Sequence, residues 1–98
     1  MLELHVCTRA GRLLRAFAIG DRGEIILGRD ERCDIQIRSA GVAEEHCSIE
    51  SEGEQLMLRD LGSAQGTIVD GRRINKIRVE DGLEVVVGPA LIRFVESV

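Results

Sequence analysis

The sequence predicts an all-β sandwich, because short runs typical of strands recur along the chain and turn signals separate them. Apolar and polar residues alternate over residues 2–6, which is the pattern of a strand with one buried face. Glycines punctuate the intervals between such runs, and Gly88 precedes the single proline, Pro89. No window of helical length holds an i, i+3, i+4, i+7 apolar pattern between capping residues. Many short strands at this spacing indicate two packed antiparallel sheets.

The predicted elements follow one another closely along the chain. Strands are expected at residues 2–6, 24–27, 34–37, 55–59, 67–69, 83–87 and 91–95, and a hairpin is expected over residues 9–18. Turns are expected where glycine permits positive φ or proline presets its own, at Gly11, Gly20-Asp21, Gly23, Gly53, Gly62-Ser63, Asp70-Gly71, Asp81-Gly82 and Gly88-Pro89.

Length and composition indicate one globular domain over residues 1–98. Apolar residues make up 44% of the chain and charged residues 31%, an ordinary balance for a folded domain. Two phenylalanines, with no tryptophan or tyrosine, leave a core of isoleucine, leucine and valine. A surface for stacking nucleic-acid bases is therefore not expected.

The charge distribution argues against anionic partners. The net charge is -4, and residues 39–60 hold one arginine against six acids. Such a segment repels nucleic acid and anionic membranes. No apolar run approaches a membrane span, and residues 1–6 do not resemble a signal-peptide core. Three cysteines without a CxxC motif favour a reducing compartment, the cytoplasm, with each thiol a small buried hydrophobe.

One stretch of the chain carries a family resemblance. It runs through Gly28-Arg29, Asp34-Ile35, Val42 with His46 four residues later, Asp60-Leu61, Ser63, Gly66-Thr67 and Gly71. These residues resemble the motif of the forkhead-associated (FHA) domain. The resemblance implies an FHA-type antiparallel β-sandwich of about eleven strands. It also implies a module that binds phosphothreonine peptides.

The residues at the expected ligand positions depart from the family pattern. Arg29 matches the phosphate-binding arginine, and a guanidinium can engage phosphate oxygens in a bidentate way. Ala43 and Glu44 stand where the family has a serine and a basic residue, so a hydroxyl donor is missing and a negative charge is added. Gln65 replaces an asparagine and keeps the amide on a longer stem. These changes predict weakened or phosphate-independent binding.

Several alternatives stay open for these loops. Arg29 can instead pair with Glu44 or Asp30 on a solvated loop, and Glu44 can face away from the ligand. Three nearby residues could replace the missing groups or could simply be solubilising: Arg32, Arg38 and Ser39.

Four positions are predicted to shape the loops and not to carry chemistry: Gly28, His46, Gly66 and Thr67. By resemblance, His46 hydrogen-bonds to loop backbone. Cys47 next to it lacks a third orienting group, and neighbours on a strand point to opposite faces. A metal site from His5, Cys7, His46 and Cys47 matches no zinc signature. We therefore expect no enzyme activity, no cofactor and no metal.

The favoured function is a protein–protein interaction module that binds its partner, with or without phosphothreonine, through the loops holding Arg29, residues 38–45 and residues 62–66. The alternative is a structural assembly module like the FHA-like cytoplasmic domain of a type III secretion inner-ring protein. Self-association stays open, and this domain itself is not expected to contact a membrane.

Overall fold

The computed structural model describes residues 1–20 and 23–97, and these fold into eleven strands without a helix. The strands are β1 (Leu2–Thr8), β2 (Leu13–Ala18), β3 (Ile25–Gly28), β4 (Ile35–Gln36), β5 (Cys47–Glu52), β6 (Gln55–Asp60), β7 (Thr67–Val69), β8 (Arg72–Ile74), β9 (Lys76–Arg78), β10 (Glu84–Val87) and β11 (Ala90–Glu96). The predicted all-β class and strand number are confirmed. The described residues contain no helix that could cross a membrane.

The strands form two sheets. One has six strands in the order β2-β1-β11-β10-β7-β8, and the other has five in the order β4-β3-β5-β6-β9. The pairs within them are antiparallel except β3 with β4, where Leu27 pairs with Ile35 in a parallel register. The sandwich is therefore mixed at that edge. Alternation of apolar residues over residues 34–37 indicated a strand but carried no information about its direction.

Inward-facing aliphatic side chains from both sheets fill the core, as the composition predicted. Leu4 pairs with Phe94 across β1 and β11, and both are fully buried. Ile49 pairs with Leu58 across β5 and β6, and these are buried as well. Burying one side chain of this size stabilises the fold by roughly 1.5–3 kcal/mol. The core thus holds both sheets rigidly beneath the loops that connect them.

Three strands were not predicted from the sequence, namely β5, β8 and β9. In β5, Cys47, Ser48 and Ile49 are all buried, so the run does not alternate. The strands β8 and β9 have three residues each and expose most of their side chains. Their strand conformation comes from pairing with β7 and β6, because so short a run cannot be recognised from its own residues.

The turn predicted at residues 70 and 71 is confirmed. Asp70 and Gly71 both have positive φ, at 50° and 78°, and they join Val69 to Arg72 in a two-residue hairpin turn. The predicted Gly20-Asp21 turn lies partly outside the described residues.

The prediction that all three cysteines are buried is wrong at one position. Cys7 and Cys47 are buried, but Cys33 is only half-buried, because it lies on the loop between β3 and β4.

Candidate functional site

The loop after β3 and the loop before β5 lie side by side because Gly28 has no side chain. A Cβ atom at Gly28 would overlap the backbone carbonyl group of Glu44. Just beyond it, the N–H of Arg29 donates to the carbonyl of Ala43 at 2.9 Å, and the N–H of Asp30 donates to that of Glu44 at 3.1 Å. The position of Arg29 relative to Ala43 is therefore set by backbone contacts.

The Arg29 side chain lines a shallow cavity between the loops. Its Nε donates to the carbonyl of Val42 at 3.0 Å, which orients the guanidinium. The cavity has a volume of 200 Å³, and its walls are Arg29, Ala40, Gly41, Val42, Ala43, Ala64 and Gln65. Among the described residues, Arg29 forms no ion pair with Asp30 or Glu44. Its terminal amino groups can therefore donate to a ligand in the cavity.

A second, acidic recess shares one wall with this cavity. It measures 440 Å³ and is lined by Asp30, Arg32, Ala43, Glu44 and Glu45. Ala43 lines both spaces, whereas Glu44 lines only the acidic recess. The charge of Glu44 thus acts on the Arg29 cavity from the adjacent recess and not from within it.

Arg32 lines the acidic recess and not the Arg29 cavity, and its guanidinium forms an ion pair with Asp30. Nε lies 3.2 Å from Oδ1 of Asp30, and Nη2 lies 2.9 Å from Oδ2. Hydrogen bonds from the Arg32 side chain and backbone lower the pKa of Asp30 to about 2.

Ser39 and Arg38 also lie outside the cavity. The Oγ of Ser39 accepts the N–H of Gly41 at 3.3 Å, and the Ser39 carbonyl accepts the N–H of Val42 at 3.0 Å. Both bonds tighten the turn that carries the cavity wall. Arg38 is exposed.

His46 joins two of the loops from beneath. It is fully buried, its Nδ1 accepts the N–H of Ala43 at 3.0 Å, and its Nε2 meets the carbonyl of Gly66 at 2.9 Å. Since Nδ1 accepts a hydrogen bond, the neutral ring carries its hydrogen on Nε2, which donates to the carbonyl of Gly66. Both ring nitrogens are thus used in holding the loop before β5 against the loop before β7.

Asp60 organises the loop between β6 and β7. Its Oδ2 accepts the N–H groups of Gly62 and Ser63, and its Oδ1 accepts the hydroxyls of Ser63 and Thr67 at 2.5 and 2.8 Å. Burial opposes ionisation of this carboxyl, but the hydrogen bonds from Ser63 and Thr67 outweigh it and keep the pKa below its ordinary value. Thr67 is fully buried, so its hydroxyl supports the loop from within.

Sequence reasoning missed Arg73, which supports the same loop from outside. Its Nη2 donates to the carbonyl of Ala64 at 2.5 Å, and its guanidinium lies against Gly66, where a Cβ atom would collide with it. Gly66 also has a φ of 85°, which favours glycine. The signal was the Asp70-Gly71 turn, because a two-residue hairpin places Arg73 opposite Ile68, next to the loop.

The turn between β10 and β11 packs against the loop before β5. A Cβ atom at Gly88 would meet the carbonyl of Gly41, so the two backbones are in close contact. The side-chain oxygen of Gln65 lies against Gly41 from the other loop. Gln65 therefore lies on the wall of the Arg29 cavity.

Two cysteines, Cys33 and Cys47, lie next to these loops. Burial raises the pKa of the Cys47 thiol to about 12, which leaves it protonated and unreactive at neutral pH. The thiol of Cys33 donates to the carbonyl of Glu44 at 3.1 Å. Within residues 1–20 and 23–97, no three histidine, cysteine or acidic side chains come together as metal ligands.

The described residues thus form a two-sheet sandwich whose loops are joined by hydrogen bonds beside Arg29. The FHA domain family matches residues 25–88, which is more than half of the chain. The chain therefore belongs to the FHA domain family and is a protein interaction module. No protein of curated function matches it significantly.

Solved FHA domains share the fold closely. The FHA domain of the CT664 protein from Chlamydia trachomatis is 25% identical, with a TM-score of 0.85 and coverage of 99% of this chain and 98% of that one. The FhaA FHA domain complexed with the intracellular domain of Rv3910 is 24% identical, with a TM-score of 0.82 and coverage of 96% and 99%.

A third neighbour was solved with a phosphopeptide. It is EmbR from Mycobacterium tuberculosis, in complex with a low-affinity phosphopeptide, at 26% identity and a TM-score of 0.73. The match covers 95% of this chain and 24% of EmbR.

Proposed function

We propose that the chain recognises a protein partner through the Arg29 cavity and that it binds phosphothreonine with reduced affinity. One observation carries the proposal: the guanidinium of Arg29 is oriented by Val42 and lines a cavity whose walls come from three loops. His46 and Gly28 hold those loops in register. A rigid site of this kind loses little conformational entropy when a ligand binds.

The balance of charges decides between weak binding and none. A charge-assisted hydrogen bond from Arg29 to phosphate contributes roughly 1.5–3 kcal/mol. Each carboxylate of Glu44 and Glu45, at an assumed separation of about 8 Å in a solvated recess, costs about 0.5 kcal/mol per unit of phosphate charge. Screening over a Debye length of about 8 Å reduces that cost further. The attraction of Arg29 therefore exceeds the repulsion, and the result is weak binding.

The loss of a hydroxyl at Ala43 also weakens the binding of phosphate. Ala43 lines the cavity and has no donor to offer a phosphate oxygen. Neither Ser39 nor Arg32 lies among the cavity walls to compensate. We infer that specificity comes more from the peptide backbone and flanking residues, which the amide of Gln65 can contact.

The assembly-module alternative is not favoured, because the FHA neighbours include complexes with a partner domain and with a phosphopeptide. We further propose a cytoplasmic, non-enzymatic role without nucleic-acid or membrane contact by this domain. Three cysteines, all free, and the acidic recess beside the cavity support that proposal.

Titration with a phosphothreonine peptide library, followed by the unphosphorylated form of each hit, tests the function. Arg29→Ala should weaken binding of the best phosphopeptide about tenfold or more, because it removes the main phosphate donors. Arg78→Ala is the matched control, since Arg78 is exposed and lies outside the cavity. Equal affinity of a folded Arg29→Ala variant and the wild type would show that the ligand is held elsewhere.

A further inference from the structure

Charged side chains lie on two sides of the Arg29 cavity, and their signs are opposite. On one side the acidic recess meets the cavity at Ala43, which lines both spaces. On another side the wall is formed by Ala64 and Gln65, and Arg73 donates to the carbonyl of Ala64 from outside that wall. The cavity therefore lies between an acidic region and a basic one.

The recess holds negative charge that the described part of the chain does not neutralise. Asp30 is paired with Arg32, whose Nη2 lies 2.9 Å from its carboxylate. Glu44 and Glu45 are exposed, and neither forms an ion pair within residues 1–20 and 23–97. The hydrogen bond to Asp30 raises the pKa of Arg32, and the charges of Glu45 and Glu44 raise it further. A cationic side chain entering the recess would thus meet two unpaired carboxylates.

Arg73 has free donors on the other side of the cavity. Its Nη2 is bonded to the carbonyl of Ala64, and its guanidinium packs against Gly66, where a Cβ atom would overlap Nε. These contacts fix the group beside the loop. The residue is nevertheless exposed, and it forms no ion pair with any acid of the described residues. A guanidinium has five N–H donors, so Arg73 can still bind a carboxylate of a ligand.

We propose that the site selects phosphothreonine peptides that carry basic residues on one side of the phosphothreonine and acidic residues on the other. The inference rests on the proposed function, because it requires the phosphate to occupy the Arg29 cavity. An extended peptide advances by about 3.3 Å per residue, so residues a few positions from the phosphothreonine reach past the walls at Ala43 and Ala64. Charge complementarity then places the basic side chains in the recess and the acidic ones beside Arg73.

Glu44 has two opposite effects in this arrangement. It repels a phosphate that arrives without a neighbouring cation, and it attracts a ligand that has lysine or arginine beside the phosphothreonine. Peptides with acidic residues on both sides are rejected, because specificity is a difference between affinities and repulsion contributes to that difference. The recess therefore acts as a selectivity element among phosphopeptides.

Two phosphothreonine peptides of identical composition test this preference. One has lysines before the phosphothreonine and glutamates after it, and the other has the two blocks exchanged. Isothermal titration should give affinities that differ about tenfold, because the exchange turns favourable contacts on both sides of the cavity into repulsive ones. General attraction to the domain cannot produce the difference, since the two peptides have the same net charge. The tighter peptide also shows in which direction the chain crosses the site.

Substitutions on each side of the cavity should reduce the ratio of the two affinities. The double change Glu44→Gln with Glu45→Gln should lower it to about threefold, and Arg73→Met should do the same from the other side. Arg73→Lys keeps the charge and should retain the tenfold ratio even if both affinities fall through loss of the bond to the loop. Glu54→Gln and Arg72→Met are the matched controls, because both residues are exposed and line neither the cavity nor the recess.

The outcomes separate this inference from the proposed function. Two peptides that bind with equal affinity would overturn the inference and leave phosphopeptide recognition standing. A preference that persists when Glu44, Glu45 and Arg73 are all replaced would overturn it as well. If neither peptide bound, the inference and the proposed phosphothreonine binding would both be wrong.

Discussion

Replacing His46 by alanine should both destabilise the domain and uncouple two of the three loops that form the Arg29 cavity. The imidazole is fully buried and bonds the N–H of Ala43 at 3.0 Å and the carbonyl of Gly66 at 2.9 Å. Alanine can replace neither bond. The variant therefore leaves two backbone groups without their partner and a cavity where the ring was.

The size of the effect follows from these contacts. A buried polar group left unsatisfied costs about 1–3 kcal/mol, and two such groups are affected. The space left by the ring adds a packing loss, so the total should be about 3–5 kcal/mol of unfolding free energy. Small domains have about 5–15 kcal/mol of stability, so the variant should fold but unfold at much lower denaturant concentration.

Urea denaturation of His46→Ala and His5→Ala provides the comparison, because these are the two histidines of the chain. His5 is half-buried and its side chain bonds to Glu3. Its removal should cost about 1 kcal/mol or less. Phosphopeptide affinity should also fall in His46→Ala and stay unchanged in His5→Ala. Equal stability of the two variants would refute the argument that His46 ties the loops together.

Two further predictions concern the charges around the cavity. The double change Ala43→Ser with Glu44→Arg should raise phosphothreonine affinity about tenfold or more in isothermal titration, with the part due to Glu44 shrinking as salt rises; no gain would mean that the missing groups are already replaced. In an NMR pH titration, the Asp30 carboxyl should stay ionised down to about pH 2, and Arg32→Ala should return its pKa toward 3.8. Because the folded pKa is the lower one, this pair stabilises the fold above the unfolded pKa, and the contribution disappears as the pH falls through about 2; an unchanged pKa in the variant would exclude the Arg32 contact as the cause.

Much of the fold was predictable because its causes are local. Alternation at the N-terminus predicted β1, and the Asp70-Gly71 dipeptide predicted a turn, in which the structure shows two positive φ angles. Strands β8 and β9 were not predictable, since their exposed, charged residues become strands only by pairing with β7 and β6. Such pairing is a property of distant segments, which no short window contains.

Some features of the candidate site could likewise be predicted from the sequence, and others could not. Sequence alone indicated Arg29, the loss of a donor at Ala43 and the presence of a glycine at residues 28 and 66, because residue type determines which groups can donate and where a backbone can approach. It also indicated the FHA family through the spacing of those residues.

Only the tertiary structure decided how these groups act together. It placed Glu44 in a recess beside the cavity, held Arg32 on Asp30 and brought Arg73 against Gly66. Each of these outcomes depends on how loops from different strands approach one another. Hydrogen bonds and ion pairs form only at separations of about 3 Å. A small shift of a loop therefore decides which partner a side chain meets, and no sequence pattern specifies the position of a loop that closely.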